Sequence, residues 1–202
     1  METTIYQSEQ IEEIAALIRA GGMVAIPTDT VYGLAIASTN LRAIENMKRA
    51  KGRPEEKPFP MMVSSLAQLE TVAIVDEKTR KVIESFMPGA LTIIFRKRPE
   101  LPKELTNGFS TVGIRMPDDQ WVLALIKAVG VPLLVPSANL SGAAVCNNHN
   151  EVLAQLSGRI DAVVAGVSGS GLSSTIVDMS GEKIKILRPG KITLEEIMEV
   201  LK

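Results

Sequence analysis

A short apolar run that ends at a proline, with small polar residues after it, constrains this chain most. The run Met23–Ile26 has the composition of a buried strand, and Pro27 cannot continue a central ladder because it lacks a backbone N–H. The strand is therefore predicted to end there, with the polar residues Thr28–Thr30 at its end and Val31–Leu34 returning to the core. Ligands of open α/β sheets bind at strand ends. This segment is either a ligand-binding loop or a capped turn between two elements.

The remainder of the chain mixes amphipathic stretches with short apolar runs. Helices are predicted at residues 9–20 after Ser8, at 41–51 after Asn40 with Leu41 facing inward, from Leu66 after Ser65, at Glu77–Met87, from Asp118 or Asp119 to Val129, at His149–Leu156 and after a capping box at Thr193. Strands are predicted at Phe59–Val63, Ala90–Arg96, Thr111–Met116, Val131–Val135, Ile160–Ala165 and in a hairpin of Thr175–Asp178 with Lys183–Leu187, and loops at Pro99–Gly108 and Gly166–Ser173. This irregular mixture predicts one α/β domain over residues 1–202 with a mixed sheet.

The charge and the composition exclude several classes of protein. The 202 residues carry a net charge of −1, so no global field attracts the chain to nucleic acid. Aromatic residues are 3% of the chain, which leaves few stacking platforms for single-stranded bases. The polar first residues lack the apolar core of a signal peptide, and no apolar run approaches a membrane span. The single Cys146 fits a reducing compartment. We therefore expect a cytoplasmic protein.

A cluster of basic residues is a second candidate for chemistry. The segment Lys48–Lys57 places five basic side chains within ten residues at the C-terminus of a predicted helix. Such a cluster either complements the helix dipole on a solvated face or clamps a small polyphosphate.

Two further loops and two arginines complete the set of candidates. Pro136–Gly142 follows a predicted strand, and its Ser and Asn side chains either bind phosphate, ribose or carboxylate or form a turn that caps a helix. Ser173–Asp178 follows a glycine-rich stretch, which either directs backbone N–H groups at an anion or is a flexible hairpin loop. Arg115 and Arg188 stand at predicted strand ends near prolines, where they are candidates for anchoring a carboxylate or a phosphate.

Several common catalytic patterns are absent from the sequence. It contains no Walker loop and no G-x-G-x-x-G motif, and the lone His149 has no partner histidine for a metal site. No histidine is placed by sequence to activate Cys146, and no Ser-His-Asp set is found. With these patterns absent, the remaining candidate is catalysis that positions the reacting groups and stabilises charge at a phosphate group.

Six strings, in order, resemble the threonylcarbamoyl-AMP synthases, which are built on the YrdC-like domain. They are PTDTVYGL, KRAKGRPEEKP, VGIRMP, PSANLSG, SSTIVD and ILRPG, and they extend from about Met23 to Gly190. The resemblance implies a twisted mixed α/β sheet with flanking helices and a concave, positively charged face. It also implies the synthesis of L-threonylcarbamoyl-adenylate from threonine, bicarbonate or carbon dioxide, and ATP, with release of pyrophosphate.

The resemblance also implies roles for individual residues. Implied threonine contacts are Thr30, Met62, Arg115, Ser137 and Ser174, and implied ATP contacts are Lys51, Arg53, Lys57, Thr111, Asn139, Asn147 and Arg188. Lys51 and Arg53 would form the catalytic clamp on the triphosphate, with Mg²⁺ brought by ATP and no metal held by the protein. Implied partners are the downstream threonylcarbamoyl-transferase proteins and a contact with tRNA or double-stranded RNA.

Two departures from the family pattern leave alternatives open. Met62 stands where many members have histidine, and resembles the variant of carbamoyl-transferring relatives. Val164-Ala165-Gly166 replaces an Asp-Gly-Gly string. The alternatives are a paralogue that forms a carbamoyl-adenylate and a non-catalytic module that binds double-stranded RNA. The chain also looks like the short form of the family, without the extra C-terminal domain of longer members.

Overall fold

A computed structural model describes residues 2–52 and 58–202, which form a twisted ten-stranded sheet with flanking helices. The strands of these two ranges are β1 Thr4–Tyr6, β2 Val24–Ile26, β3 Gly33–Ala37, β4 Met61–Met62, β5 Leu91–Arg96, β6 Thr111–Arg115, β7 Leu133–Leu134, β8 Ala162–Val164, β9 Thr175–Asp178 and β10 Lys185–Arg188. The helices are α1 Ile11–Arg19, α2 Leu41–Lys51, α3 Leu66–Glu70, α4 Glu77–Phe86, α5 Gln120–Val129, α6 His149–Leu156 and α7 Leu194–Val200, with a 3-10 helix at Lys103–Thr106.

The strand order differs strongly from the chain order. Across the sheet it runs β1-β8-β2-β3-β7-β4-β6-β5-β9-β10. β8 lies parallel to β1 and β2, β4 to β6, and β5 to β9, whereas the pairs β2–β3, β3–β7, β4–β7, β5–β6 and β9–β10 are antiparallel. The prediction of an α/β fold with a mixed sheet is therefore confirmed. The order also brings the ends of β2, β4, β6 and β9 to one region of the sheet.

The central strands are buried on both faces. In β2, Ala25 packs into one apolar cluster while Val24 and Ile26 pack into a second cluster on the opposite face. Helices α1 and α5 cover the second cluster, to which they contribute Ile14 and Ile126. A strand buried on both sides is apolar throughout rather than alternating, which explains why the short apolar runs predicted these strands correctly.

Most helix starts follow their predicted capping residues. The side chain of Asn40 accepts a hydrogen bond from Ala43 N at the start of α2. Ser65 caps α3 in the same way, and the Asp119 carboxylate, not that of Asp118, caps α5. Thr193 forms the predicted capping box at α7 with Glu196.

The predicted start of the first helix is wrong. Helix α1 begins at Ile11 after Gln10, whose side chain does not cap the helix. The main-chain carbonyl of Ser8 instead accepts a hydrogen bond from the indole N–H of Trp121. The predicted inward face of α2 is also partly wrong, because Leu41 is 46% exposed.

Three elements were not predicted from the sequence. Strand β1 pairs with β8 and has no apolar pattern of its own. The segment after Gly33 forms the complete strand β3, paired with β2 and β7. The loop Pro99–Gly108 contains the 3-10 helix, which ends at Asn107 with a positive φ of 49°. In the two described ranges, no helix combines the length and the apolar character that a membrane span needs.

Candidate functional site

A cavity of about 210 Å³ opens on the sheet where β2, β4, β6 and β7 end and β9 begins. In liquid water each molecule takes up about 30 Å³, so the cavity has room for several water molecules. A space of this size suits a small metabolite rather than a polymer. The residues around it are Thr28, Thr30–Gly33, Pro58–Met62, Thr92, Ile94, Gly113, Arg115, Val135–Ser137, Ser173, Ser174, Ile176 and Arg188.

Arg115 forms one wall of the cavity. It is 4% exposed, and its Nε donates to Gly89 O at 2.9 Å, its Nη1 to Thr30 Oγ1 at 2.7 Å and its Nη2 to Asp29 Oδ2. A guanidinium group has five N–H donors. Two of them therefore have no hydrogen-bond partner in the described part of the chain. Burial lowers the pKa of the Arg115 guanidinium, and the Asp29 carboxylate opposes that shift. The wall thus offers a cation with free donors to an anionic group.

Thr28 and Thr30 form a buried pair of hydroxyl groups beside Arg115. Both residues are 2% exposed, and their Oγ1 atoms lie 3.1 Å apart. Thr28 Oγ1 donates to Val31 O at 2.8 Å and accepts from Thr30 N at 3.2 Å. The turn after β2 therefore fixes both side chains on the wall of the cavity, so this segment is more than a capped turn.

Ser174 and Thr92 form a second hydroxyl pair across the cavity. Their oxygen atoms lie 2.8 Å apart, and both residues are nearly fully buried. Arg188 donates from Nε and Nη2 to Ser174 O and from Nη2 to Ser174 Oγ. Within the described residues this leaves both N–H groups of Arg188 Nη1 without a partner. A second cation with free donors thus borders the cavity.

The surface between the two arginines is apolar. Met62 lies beside Arg115 in the register of β4 and β6, and it is 6% exposed. Ile94 and Ile176 also line the cavity. The Ile94 side chain packs over Gly113, where an added Cβ would lie only 2.9 Å from it. This surface suits a flat or aliphatic part of a ligand.

Lys51 holds the loop after β7, which brings Ser137 to the cavity. Lys51, at the end of α2, is 2% exposed, and its ammonium group donates to the main-chain carbonyls of Ser137 and Asn139. Its own carbonyl accepts from Ser141 N at 2.8 Å. The Asn139 amide group donates to Leu140 O and Ala143 O, whereas its Oδ1 is buried with no partner among the described residues. The basic segment and this loop are therefore held together.

The glycine-rich loop 166–173 packs against the turn after β2. Its amides at Gly169, Ser170 and Gly171 donate to the carbonyls of Thr28, Asp29 and Thr30, at 2.8–3.0 Å. A Cβ at position 169 would lie 2.4 Å from Asp29 O, so only glycine permits this approach.

The structure brings together six of the predicted site residues. Those that line the cavity are Thr30, Met62, Arg115, Ser137, Ser174 and Arg188. Lys51 contacts the loop behind Ser137, while Thr111, Asn139 and Asn147 do not line the cavity. Arg53 and Lys57 lie outside the described residues. The roles of all these residues stay predictions.

Sequence reasoning missed Thr92 as a part of the site, and it placed Thr28 and Asp29 in a candidate ligand loop without assigning either of them a contact. Thr92 is the polar residue of the otherwise apolar strand Leu91–Phe95, which is the sequence signal that could have found it, and it is 3% exposed. Cys146, for which the sequence places no activating histidine, is fully buried, and burial raises its pKa to about 11. Its thiol is therefore protonated at neutral pH.

A protein-held metal finds no support in the described ranges. They contain no group of three or more His, Cys, Asp or Glu side chains that could hold an ion. The Asp29 carboxylate, in the turn that carries Thr28 and Thr30, pairs with Arg115.

Comparisons with known proteins agree on one family. The Sua5, YciO and YrdC family model, whose description is "Telomere recombination", matches residues 16–190. Threonylcarbamoyl-AMP synthase of Bacillus subtilis (strain 168) is 40% identical over 195 residues, which cover 95% of this chain and 56% of that protein. The enzyme of the same name from Pyrococcus abyssi (strain GE5 / Orsay) is 35% identical, with 100% of this chain and 61% of that protein covered. The chain thus spans somewhat more than half the length of these relatives.

Two solved structures are similar. Pyrococcus abyssi Sua5 complexed with L-threonine superposes with a TM-score of 0.91 at 33% identity, covering 99% of this chain and 60% of that one. Escherichia coli YciO superposes with a TM-score of 0.88 at 24% identity over 96% of this chain and 99% of that one, a likeness that concerns the fold alone. The family model, the identities and the shared fold agree: the chain belongs to the Sua5/YciO/YrdC family.

Proposed function

We propose that this protein is a threonylcarbamoyl-AMP synthase that acts in the cytoplasm. The observation that carries the proposal is Arg115, a buried cation beside the hydroxyl of Thr30 with two N–H groups that have no partner among the described residues. A guanidinium fork binds a carboxylate with two parallel hydrogen bonds. The relatives named above carry this activity in their names, and a related Sua5 was solved with L-threonine.

The proposed threonine contacts are Thr30, Met62, Arg115, Ser137 and Ser174. Arg115 would hold the carboxylate, and the hydroxyl groups at positions 30, 137 and 174 would orient the rest of the molecule. The small volume of the cavity supports a ligand of this size.

Of the residues proposed to contact ATP, Arg188 lines the cavity. The proposed contacts are Lys51, Arg53, Lys57, Thr111, Asn139, Asn147 and Arg188. Arg188 supports this part of the proposal most directly, because it lines the cavity and its Nη1 has no partner within residues 2–52 and 58–202. Lys51 and Arg53 would place positive charge at the triphosphate. Mg²⁺ would arrive with ATP, as it commonly does when the substrate phosphates supply its ligands.

The reaction needs positioning and charge more than covalent help. The amine of threonine loses protons and attacks carbon dioxide, which gives a carbamate. A carbamate oxygen then attacks the α-phosphorus of ATP, a new P–O bond forms, the bond to the β-phosphate breaks, and pyrophosphate leaves. Held in line, these groups react without a general base because the carbamate is already an anion. Preorganised cations stabilise the departing pyrophosphate. Transfer proteins that modify tRNA would consume the product.

Product analysis tests the proposal. The protein is incubated with ATP, Mg²⁺, threonine and labelled bicarbonate, and the mixture is chromatographed quickly because the product is labile. We expect label in a threonine-dependent adenylate peak and an equal amount of pyrophosphate. The absence of both would refute the proposal.

A paralogue that forms a carbamoyl-adenylate is the second candidate. The observation that favours it is Met62, whose thioether gives the threonine side of the cavity an apolar wall. Adenylate formation driven by carbamoyl phosphate and not by threonine would establish this activity instead.

A further inference from the structure

The hydrogen-bond partners of the Thr28 and Thr30 hydroxyl groups allow only one assignment of donor and acceptor. A hydroxyl group has one proton to donate and two lone pairs that accept. Thr28 Oγ1 lies 2.8 Å from Val31 O, and a carbonyl oxygen can only accept, so the Thr28 proton is directed at Val31. The contact of 3.1 Å between the two hydroxyl oxygens must then use the proton of Thr30.

This assignment determines what Thr30 can offer to a ligand. Its proton is directed at Thr28, and one of its lone pairs accepts from Arg115 Nη1 at 2.7 Å. In the described part of the chain, the second lone pair has no partner. Thr30 therefore presents an acceptor, not a donor, to the cavity that it lines.

We infer that Thr28 is a positioning residue that fixes the Thr30 hydroxyl as a hydrogen-bond acceptor and so makes the cavity selective for ligands with an amine beside their carboxylate. The side chains of Arg115 and Thr30 are hydrogen-bonded to each other, so the N–H groups and the lone pair that they leave without a partner among the described residues are close together. A ligand carboxylate on Arg115 therefore brings its α-substituent to Thr30. In an α-amino acid that substituent is the amine, which donates.

The inference rests on the proposed function and adds a reason for selectivity. A carbamate nitrogen keeps one N–H, so the contact with Thr30 survives the first chemical step. The Asp29 carboxylate pairs with the same guanidinium group, and its Oδ1 is buried without a partner in the described ranges. A ligand without the amine leaves the buried Thr30 lone pair unpaired, which costs affinity.

The first test compares two ligands that differ at the α-carbon. Dissociation constants of L-threonine and of (3R)-3-hydroxybutanoate, which lacks the amine, are measured by calorimetry for wild type, Thr28→Val and Thr28→Ser. Without Oγ1 at position 28, the Thr30 proton can turn to the ligand. We expect the preference for threonine to fall by about tenfold or more in Thr28→Val, and to recover in Thr28→Ser, which restores the hydroxyl.

Thr106→Val is the matched control. Thr106 is 1% exposed, its hydroxyl donates to Phe109 O at 2.8 Å, and it does not line the cavity. It therefore loses a buried hydrogen bond without touching the site, and we expect its ligand preference to equal that of wild type. An unchanged preference in a folded Thr28→Val variant overturns the inference, and so does an equal weakening of both ligands.

The second test needs no ligand and no variant. In a neutron structure of the deuterated wild-type protein, we expect the deuteron of Thr30 to point at Thr28 Oγ1 and that of Thr28 at Val31 O. A Thr28 deuteron directed at Thr30 overturns the inference even if threonine binds. Failure of wild type to bind threonine, with the expected deuteron positions, refutes the proposed function and leaves the acceptor role of Thr30 supported.

Discussion

The amide of Gly169 donates a hydrogen bond of 2.9 Å to the carbonyl of Thr28, and the two backbones approach too closely for any side chain between them. The contact joins the glycine-rich loop to the turn that carries Thr28 and Thr30. The position of the Thr30 hydroxyl on the cavity wall therefore depends on a residue that has no side chain.

Substitution of Gly169 by alanine tests this dependence. The new Cβ would lie 2.4 Å from Asp29 O, so the turn or the loop must move. Since a displacement of about 1 Å in a site can cost two orders of magnitude, we expect Gly169→Ala to weaken threonine binding by about tenfold or more. Calorimetry measures the change. Gly181→Ala is the control, because a Cβ there meets nothing within 4 Å; equal affinities in the two variants would contradict the prediction.

The fork of Arg115 should not be replaceable by lysine. An ammonium group keeps the charge but cannot make the contacts to Gly89, Thr30 and a carboxylate together. We expect Arg115→Lys to bind threonine at least about tenfold more weakly, which corresponds to roughly 1.4 kcal/mol. Titration calorimetry measures the dissociation constant. Arg80→Lys, at an exposed ion pair with Glu70 outside the cavity, serves as control. Tight threonine binding by Arg115→Lys would refute the proposed anchor.

Arg53 is proposed as half of the clamp on the triphosphate. Loss of a cation that stabilises the departing pyrophosphate slows the chemical step, so Arg53→Ala should lower the rate of adenylate formation by roughly a hundredfold. Release of pyrophosphate in single turnovers measures this rate. Arg42→Ala removes an exposed cation from the opposite end of α2 and should leave the rate unchanged. A rate for Arg53→Ala within about twofold of wild type would show that the clamp assignment is wrong.

The buried thiol of Cys146 should make stability fall at high pH. Burial raises its pKa from 9.0 to about 11, so the folded protein keeps a proton that the unfolded chain has already lost. The free energy of unfolding should then decrease as pH rises from 9.0 to about 11, because the native state binds more protons there. Urea unfolding at several pH values measures it. In Cys146→Ala this contribution is absent, and an identical pH dependence in both proteins would contradict the prediction.

The sequence predicted the central strands and most helix starts because their signals are local. A run such as Met23–Ile26 is apolar throughout, and Asn40 lies next to the amide that it caps. Strand β1 could not be predicted, because its partner β8 is near the other end of the chain. The uncapped start of α1 gave no local signal either.

Parts of the candidate site were likewise visible in the sequence, whereas other parts depend on contacts between distant elements. Thr30 and Arg115 stand at strand ends, where polar side chains after an apolar run indicate a ligand site, whereas Ser174 directly precedes β9. The hydroxyl pairs need distances between residues of different strands, as for Thr92 and Ser174. The bonds between Lys51 and the loop after β7 likewise depend on how α2 packs on the sheet, which no spacing in the sequence encodes.

The walls of the cavity come from Thr28, near the start of the chain, through strands in its middle, to Arg188 near its end. No short fragment contains the site, so the protein can bind a ligand there only when most of the chain has folded. By mass action, a ligand that recognises this cavity must favour the whole native state over every partly folded one. The cell's supply of such a ligand would therefore set not only the output of the protein but also how long each copy resists degradation.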